Sequence, residues 1–315
     1  MMISSCRRAV QHLAFILFTY GGRFGLHFGN ALPCFSCPYV TGCGGHCYLM
    51  ALQSNWWGLQ MPLATMMSGL GLQALLLFAL FALLVALLGK SWCGWLCPFG
   101  LLQDWLTMLR QRLGVPEAQI SQAMRDRLRS IKYLLLVYML ALPPLIASAG
   151  LHSDFSLPFC QICPAKPLMP LFTFETAHLA INSANAITQT FSILSVAIAA
   201  LMLVGMFFKE RFFCLFCPML AIIHIFQKII PLRLKKNPAL CLACGNCARA
   251  CPMTIRRVHE DRADVQDEDC LLCLNCLESC PSDTTLRLDL FGKTLVSSKR
   301  RRLIVLWQKT RSARP

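Results

Sequence analysis

The chain has 315 residues, 56% of them hydrophobic and 14% charged, with a mean hydropathy of +0.54 and 19 cysteines. Such a composition excludes intrinsic disorder and an ordinary soluble globule, and the chain is much longer than a small disulfide-stapled secreted domain. Lys and Arg number 30 against 15 Asp and Glu, a net charge of +15, but a sequence this apolar does not read as a nucleic-acid binder.

Four stretches approach the roughly 20 apolar residues that a helix needs to cross a hydrocarbon core of about 30 Å. They run near 9–28, 63–89, 131–150 and 186–208. The first contains Arg23 and His27 and also fits a signal peptide; the third meets Pro143 and Pro144 near its end. Basic residues stay on the cytoplasmic side. They gather at the N-terminus (Arg7, Arg8), in 90–130 (Lys90, Arg110, Arg112, Arg125, Arg127, Arg129) and in 209–236 (Lys209, Arg211, Lys228, Arg233, Lys235, Lys236). The 29–62 loop has none and 151–185 has only Lys166. This bias predicts a multi-pass inner-membrane protein with both termini cytoplasmic. The expected partners are membrane lipid and redox proteins, not nucleic acid, and the basic tail at 291–315 is either solvated or laid on anionic lipid.

Cysteines followed by proline recur along the chain. Within the apolar region they are Cys37-Pro38, Cys97-Pro98, Cys163-Pro164 and Cys217-Pro218. Proline suits the first turn of a helix, so each such Cys is expected to open a helix whose positive end faces an anionic, thiolate-bound cluster. Cys93 and Cys97 follow span two, and Cys214 and Cys217 follow span four, which places these four at the cytoplasmic end as ligands for one [4Fe-4S] cluster. Cys34 and Cys37, with Cys160 and Cys163, fall at the opposite face. That outer set admits a cluster, a disulfide or thiol chemistry in an oxidising compartment. Cys43 and Cys47, beside His46 and Met50, could replace a ligand, form a disulfide or bind copper. The chain reads as two parallel repeats, about 9–115 and 131–235, within a membrane domain of residues 1–236. Cys6 stands alone.

Residues 241–252 (CLACGNCARACP) and 270–281 (CLLCLNCLESCP) each follow C-x2-C-x2-C-x3-C-P. This is the two-cluster ferredoxin run, in which the fourth Cys turns to the other cluster. Cys241, Cys244, Cys247 and Cys280 are expected to hold one [4Fe-4S], and Cys270, Cys273, Cys276 and Cys251 the other, in a small cytoplasmic α+β domain at 237–290. Zinc is disfavoured by the two full copies with terminal Pro. The fold class is a mainly α membrane protein with four transmembrane helices plus this domain.

Hydrophobic spans carrying WCGWLCPFG and FFCLFCP, followed by a double ferredoxin run, resemble the NapH-type family of membrane polyferredoxins over roughly 65–290. The resemblance implies electron transfer between the quinone pool or cytoplasmic donors and exported redox partners, with quinone as a further candidate cofactor. Two other readings stay open. One is a transmembrane copper or thiol-disulfide reductase acting through the outer cysteines; the other is an assembly or anchoring subunit. Covalent c-type haem, dinucleotide and phosphate-loop motifs do not occur. His224 reads as interfacial, and Trp56, Trp57, Trp92, Trp95 and Trp105 as an aromatic belt. No acid-base constellation stands out.

Overall fold

The computed structural model describes residues 3–26, 37, 39–43, 47–58, 69–148, 157–260 and 263–299. Helices of eight or more residues among them are α1 (Ile3–Tyr20), α2 (Tyr48–Gly58), α3 (Gly69–Leu88), α4 (Pro98–Arg112), α5 (Gln122–Ser148), α6 (Ala186–Phe208) and α7 (Pro218–Ile225). The molecule is mainly helical, with one small antiparallel sheet.

Leu, Ala and Phe fill α3, which ends at Gly89 with φ +53; a Cβ there would meet Ile230 Cγ2 at 2.9 Å. α4 and α7 begin as expected, with Cys97 and Cys217 at the N-cap and proline in the first turn. Basic Arg110 and Arg112 sit in the last turn of α4, where the helix dipole favours them. α5 starts at Gln122, before the span expected at 131, and runs past Pro143 and Pro144 to Ser148. The first expected span is helical only to Tyr20; a 3-10 turn at Gly21–Phe24 and Gly25, with φ +73, follow it. Residues 27–36, with His27 and Cys34, lie outside the described residues, as do 59–68.

α4 packs on α1 and α6, while α2 and α7 pack on α5. Outward faces are apolar: Leu72, Leu75, Leu76 and Leu83 of α3, and Ile193, Leu194, Leu201 and Val204 of α6, are all exposed. Among the described residues one helix, Ala186–Phe208, is long and apolar enough to cross a membrane, and Leu75–Leu88 is a shorter apolar stretch.

The sheet has the order β1 (Leu232–Lys236), β2 (Leu286–Leu290), β3 (Lys293–Ser297), with Leu232 opposite Leu290 and Lys236 opposite Leu286. Phe291 and Gly292 both take positive φ in the two-residue hairpin between β2 and β3, as a right-twisted ribbon requires. β1 and β3 flank the two cysteine runs in the chain.

This unit is seated by the acidic loop Asp267-Glu268-Asp269. Asp269 is fully buried, 2.5 Å from the equally buried Lys132 Nζ, and it also meets Arg129 at 3.1 Å and Arg125 at 3.4 Å. Tyr133 donates to Glu268 at 2.9 Å. Lys90, fully buried, donates to the carbonyls of Asp267 and Glu268 and to Gln227 Oε1. Burial alone would raise the Asp269 pKa. The charge and hydrogen bond of Lys132, then Arg129 and Arg125, outweigh it and hold the carboxyl below its ordinary 3.8.

A depressed carboxylate stabilises above its ordinary pKa, so the contribution of Asp269 is complete above about pH 4 and is lost as pH falls through the lower folded value. Replacing Asp269 by Ala strands the buried Lys132 charge and is expected to cost about 3–5 kcal/mol, measured by denaturant unfolding of the detergent-solubilised holoprotein.

Candidate cluster sites

Within the ferredoxin unit, Cys241, Cys244, Cys247 and Cys280 line one cavity of about 360 Å³, beside Lys236 and His259. Cys251, Cys270, Cys273 and Cys276 line a second, of about 370 Å³. The two groups of four are those the spacing pairs. In both runs the third and fifth residues adopt left-handed backbone: Ala243 and Gly245 in one, Leu272 and Leu274 in the other. Such backbone is costly for leucine, about 1–3 kcal/mol per residue, and persists only where the surroundings over-determine it. Unlike the cysteines that open helices, Cys280 closes a short helix, Asn275–Ser279, and Cys251 leads into a turn. Burial pushes the Cys270 thiol up to about 12 and the Cys251 thiol up to about 11. These sulfurs therefore need a metal to become thiolates at neutral pH.

Cys93, Cys97, Cys214 and Cys217 come together between α4 and α7. The backbone N–H groups of Phe99 and Gly100 donate to the Cys97 sulfur, and those of Met219 and Leu220 to the Cys217 sulfur. Gln103, buried on α4, donates from Nε2 to Cys214 Sγ at 3.6 Å, and its Oε1 accepts from the Phe213 N–H at 3.1 Å. N–H donors aimed at ligand sulfurs raise cluster potentials.

Arg211 is the charged member of this site. Its side chain is 1% exposed, and Nη2 meets Asp104 at 2.6 Å. Among the described residues Nε and Nη1 have no hydrogen-bond partner. After Asp104, the groups that couple electrostatically to its guanidinium are Cys214, Cys273 and Cys97, so it lies near both the inner set and the second ferredoxin run. A buried guanidinium with two idle nitrogens, three N–H groups in all, among thiols is a misfit in a metal-free protein and fits an anionic, thiolate-bound cluster. The four thiols, the aimed amide and this cation together suit a [4Fe-4S] cluster, which would supply one-electron chemistry there.

The ferredoxin unit abuts this set through backbone. A Cβ on Gly94 would come within 2.4 Å of the Leu271 carbonyl and 3.4 Å of Cys273 Cα, and the Trp95 indole donates to the Leu272 carbonyl at 3.0 Å. Trp95 thus serves the domain contact rather than an aromatic belt, while Trp92 stacks on Phe18 and Trp105 packs edge-on to Phe15. His224 bonds Gln227, itself a partner of Lys90. Gly94 and Gln103 were not singled out in the sequence.

Of the expected outer set, Cys34 is outside the described residues. Cys37, Cys160 and Cys163 line a cavity of about 850 Å³ together with Cys47, and Cys93, Cys97 and Cys217 line the same cavity. The outer and inner sulfurs are therefore neighbours across one space, not separated by the thickness of a bundle. The described cysteines, including Cys6 and Cys43, are free thiols. Arg23, within the first expected span, is exposed, and its side chain would press on any side chain at Gly42.

Residues 70–116 and 191–237 each match the 4Fe-4S binding domain, and 233–281 match the 4Fe-4S dicluster domain. The chain is 27% identical over 182 residues to YccM of Escherichia coli, a protein named for electron transport, covering 58% of this chain and 46% of YccM. It is 32% identical to the regulatory protein NosR of Pseudomonas aeruginosa, over 54% of this chain and 21% of NosR. To the protein NirI of Paracoccus denitrificans it is 30% identical, over 50% of this chain and 20% of NirI. The matched part thus spans less than half of each of these three relatives. No solved structure matches. The chain carries 4Fe-4S domains of the ferredoxin type, and the matches support iron-sulfur electron transfer as its chemistry; they do not single out the NapH-type family.

Replacing Arg211 by Gln removes a cation from between two cluster sites. At an effective dielectric of about 20 a charge some 6 Å away contributes about 2–3 kcal/mol, on the order of 100 mV for a one-electron couple. Redox titration followed by EPR is expected to show the inner signal moved to lower potential, with Arg211→Lys close to the parent.

Proposed function

We propose that this chain is a membrane electron conduit. It takes electrons from a cytoplasmic carrier at the ferredoxin unit and passes them through the inner cysteine set toward an exported redox partner. In this reading four helices cross the inner membrane and both termini are cytoplasmic. The exposed apolar faces of α3 and α6 and the basic residues flanking the spans support that topology. Quinone enters only as an alternative donor, and no described side chain is assigned to it.

One observation carries the proposal: the Gly94 backbone lies against Leu271 and Cys273. The loop bearing Cys93 and Cys97 thereby touches the run bearing Cys270, Cys273 and Cys276. Cys251 and Cys280 already cross between the two ferredoxin sites, so donor sulfurs succeed one another without a break from Cys241 to Cys217. The chain's own part is to hold the carriers close, exclude water and set their potentials. Gln103 and Arg211 do the last at the inner set, and the Asp267–Asp269 loop fixes the separation.

Anaerobically purified protein is expected to contain at least about twelve irons, with matching acid-labile sulfide, for the three sites of the ferredoxin unit and inner set. Dithionite should reduce them reversibly. A content of about eight, with Cys97→Ser and Cys217→Ser leaving every signal intact, would end the proposal. Gly94→Val is expected to keep the iron content while slowing electron transfer from the ferredoxin clusters to the inner one at least tenfold, measured by stopped-flow absorbance. Thiol labelling in intact and opened cells checks the topology.

A further inference from the structure

The outer cysteines repeat the construction of the inner set. In the inner set Gln103 donates to Cys214 Sγ and accepts from the Phe213 N–H. In the outer one Gln53, fully buried on α2, donates to Cys160 Sγ at 3.5 Å and accepts from the Phe159 N–H at 3.0 Å. The sequence gains a register from this match: Cys43-Gly-x2-Cys47-x5-Gln53 parallels Cys93-Gly-x2-Cys97-x5-Gln103, and Phe159-Cys160-x2-Cys163-Pro164 parallels Phe213-Cys214-x2-Cys217-Pro218.

Sulfur environments match as well. Cys47 accepts from the N–H groups of Leu49 and Met50, two and three residues on, just as Cys97 accepts from Phe99 and Gly100. Cys163 accepts from Ala165 and Lys166, as Cys217 does from Met219 and Leu220. Lys166, the lone basic residue of 151–185, lines the cavity and is held by Gln161 Oε1 at 2.7 Å and by the Tyr39 ring. It supplies this set with a cation, as Arg211 supplies the inner one.

We propose that Cys37, Cys47, Cys160 and Cys163 hold a further [4Fe-4S] cluster, facing the inner set across the shared cavity. The inference rests on the electron-conduit reading and extends it by naming the next carrier. Among the described residues no three His, Cys, Asp or Glu side chains are grouped to hold a metal ion. That holds equally for the ferredoxin runs. Cys43 does not line the cavity.

The test is iron and sulfide analysis with EPR on the anaerobically purified full chain and its variants. The parent should hold about sixteen irons. Cys47→Ser, and Cys160→Ser as a second variant, should each lose about four irons and one reduced-state signal, with the ferredoxin signals serving as the control for folding. Cys34→Ser and Cys43→Ser should keep the full content, and Gln53→Leu should keep the iron but lower the midpoint potential of that one signal. Full iron in Cys47→Ser would overturn the proposal. So would loss of the signal in Cys34→Ser, or loss in Cys43→Ser with retention in Cys37→Ser. A parent with about twelve irons and either bound copper or a disulfide among these cysteines, found by mass spectrometry after alkylation, would also overturn it while sparing the conduit. About eight irons in the parent would instead remove the conduit reading itself.

Discussion

The arrangement depends on setting the acidic loop Asp267–Asp269, with Asp269 fully buried, among cations of the helical part. Lys132 and Asp269 are both removed from water, a step that costs several kcal/mol for each ion unless the geometry is good and the remaining donors are used. Here they are used: Arg125, Arg129, Tyr133 and Lys90 take up the other oxygens and carbonyls of 267–269. An apolar seat of the same area would tolerate sliding. A charged seat has one register, and that register brings the Gly94 backbone onto Leu271.

Electrostatics repeats this lesson at the sulfurs. The inner and outer cysteine sets each receive a buried glutamine amide, helix-opening N–H groups and a cation, all of which favour negative charge on sulfur. Acidic residues are few here, and several are committed to cations, as Asp104 is to Arg211, Glu117 to Lys209 and Glu210 to Arg110. Part of the basic excess thus compensates charge inside.

What was legible in the sequence was what short spacings dictate. The C-x2-C-x2-C-x3-C-P runs name the two ferredoxin sets because the ligands lie within a few residues of one another and the fourth has only one place to go. Strand β1 was not legible: LRLKK follows a hydrophobic helix and reads as its basic flank until β2 is there to pair with it. The outer set is ambiguous on spacing alone, since Cys34-x2-Cys37-Pro copies the local pattern of Cys160-x2-Cys163-Pro while Cys43 and Cys47 follow close behind. The competing signal was a glutamine six residues after a cysteine, present at both 53 and 103, and its meaning appears only when the amide is seen against sulfur. Charge counting gave a side to Lys90, Arg125 and Arg129, but could not reveal that their partners lie over 130 residues further along the chain.

Every group of four sulfurs described above draws on two distant stretches of polypeptide. Cys93 and Cys97 wait for Cys214 and Cys217, and Cys241 waits for Cys280. During synthesis on the ribosome no site is complete when its first ligands emerge, and the last sulfur of each arrives in a fixed sequence: 163, then 217, then 276, then 280. The order in which the ligand sets become complete is therefore written into the order of translation, from the helical part to the ferredoxin runs.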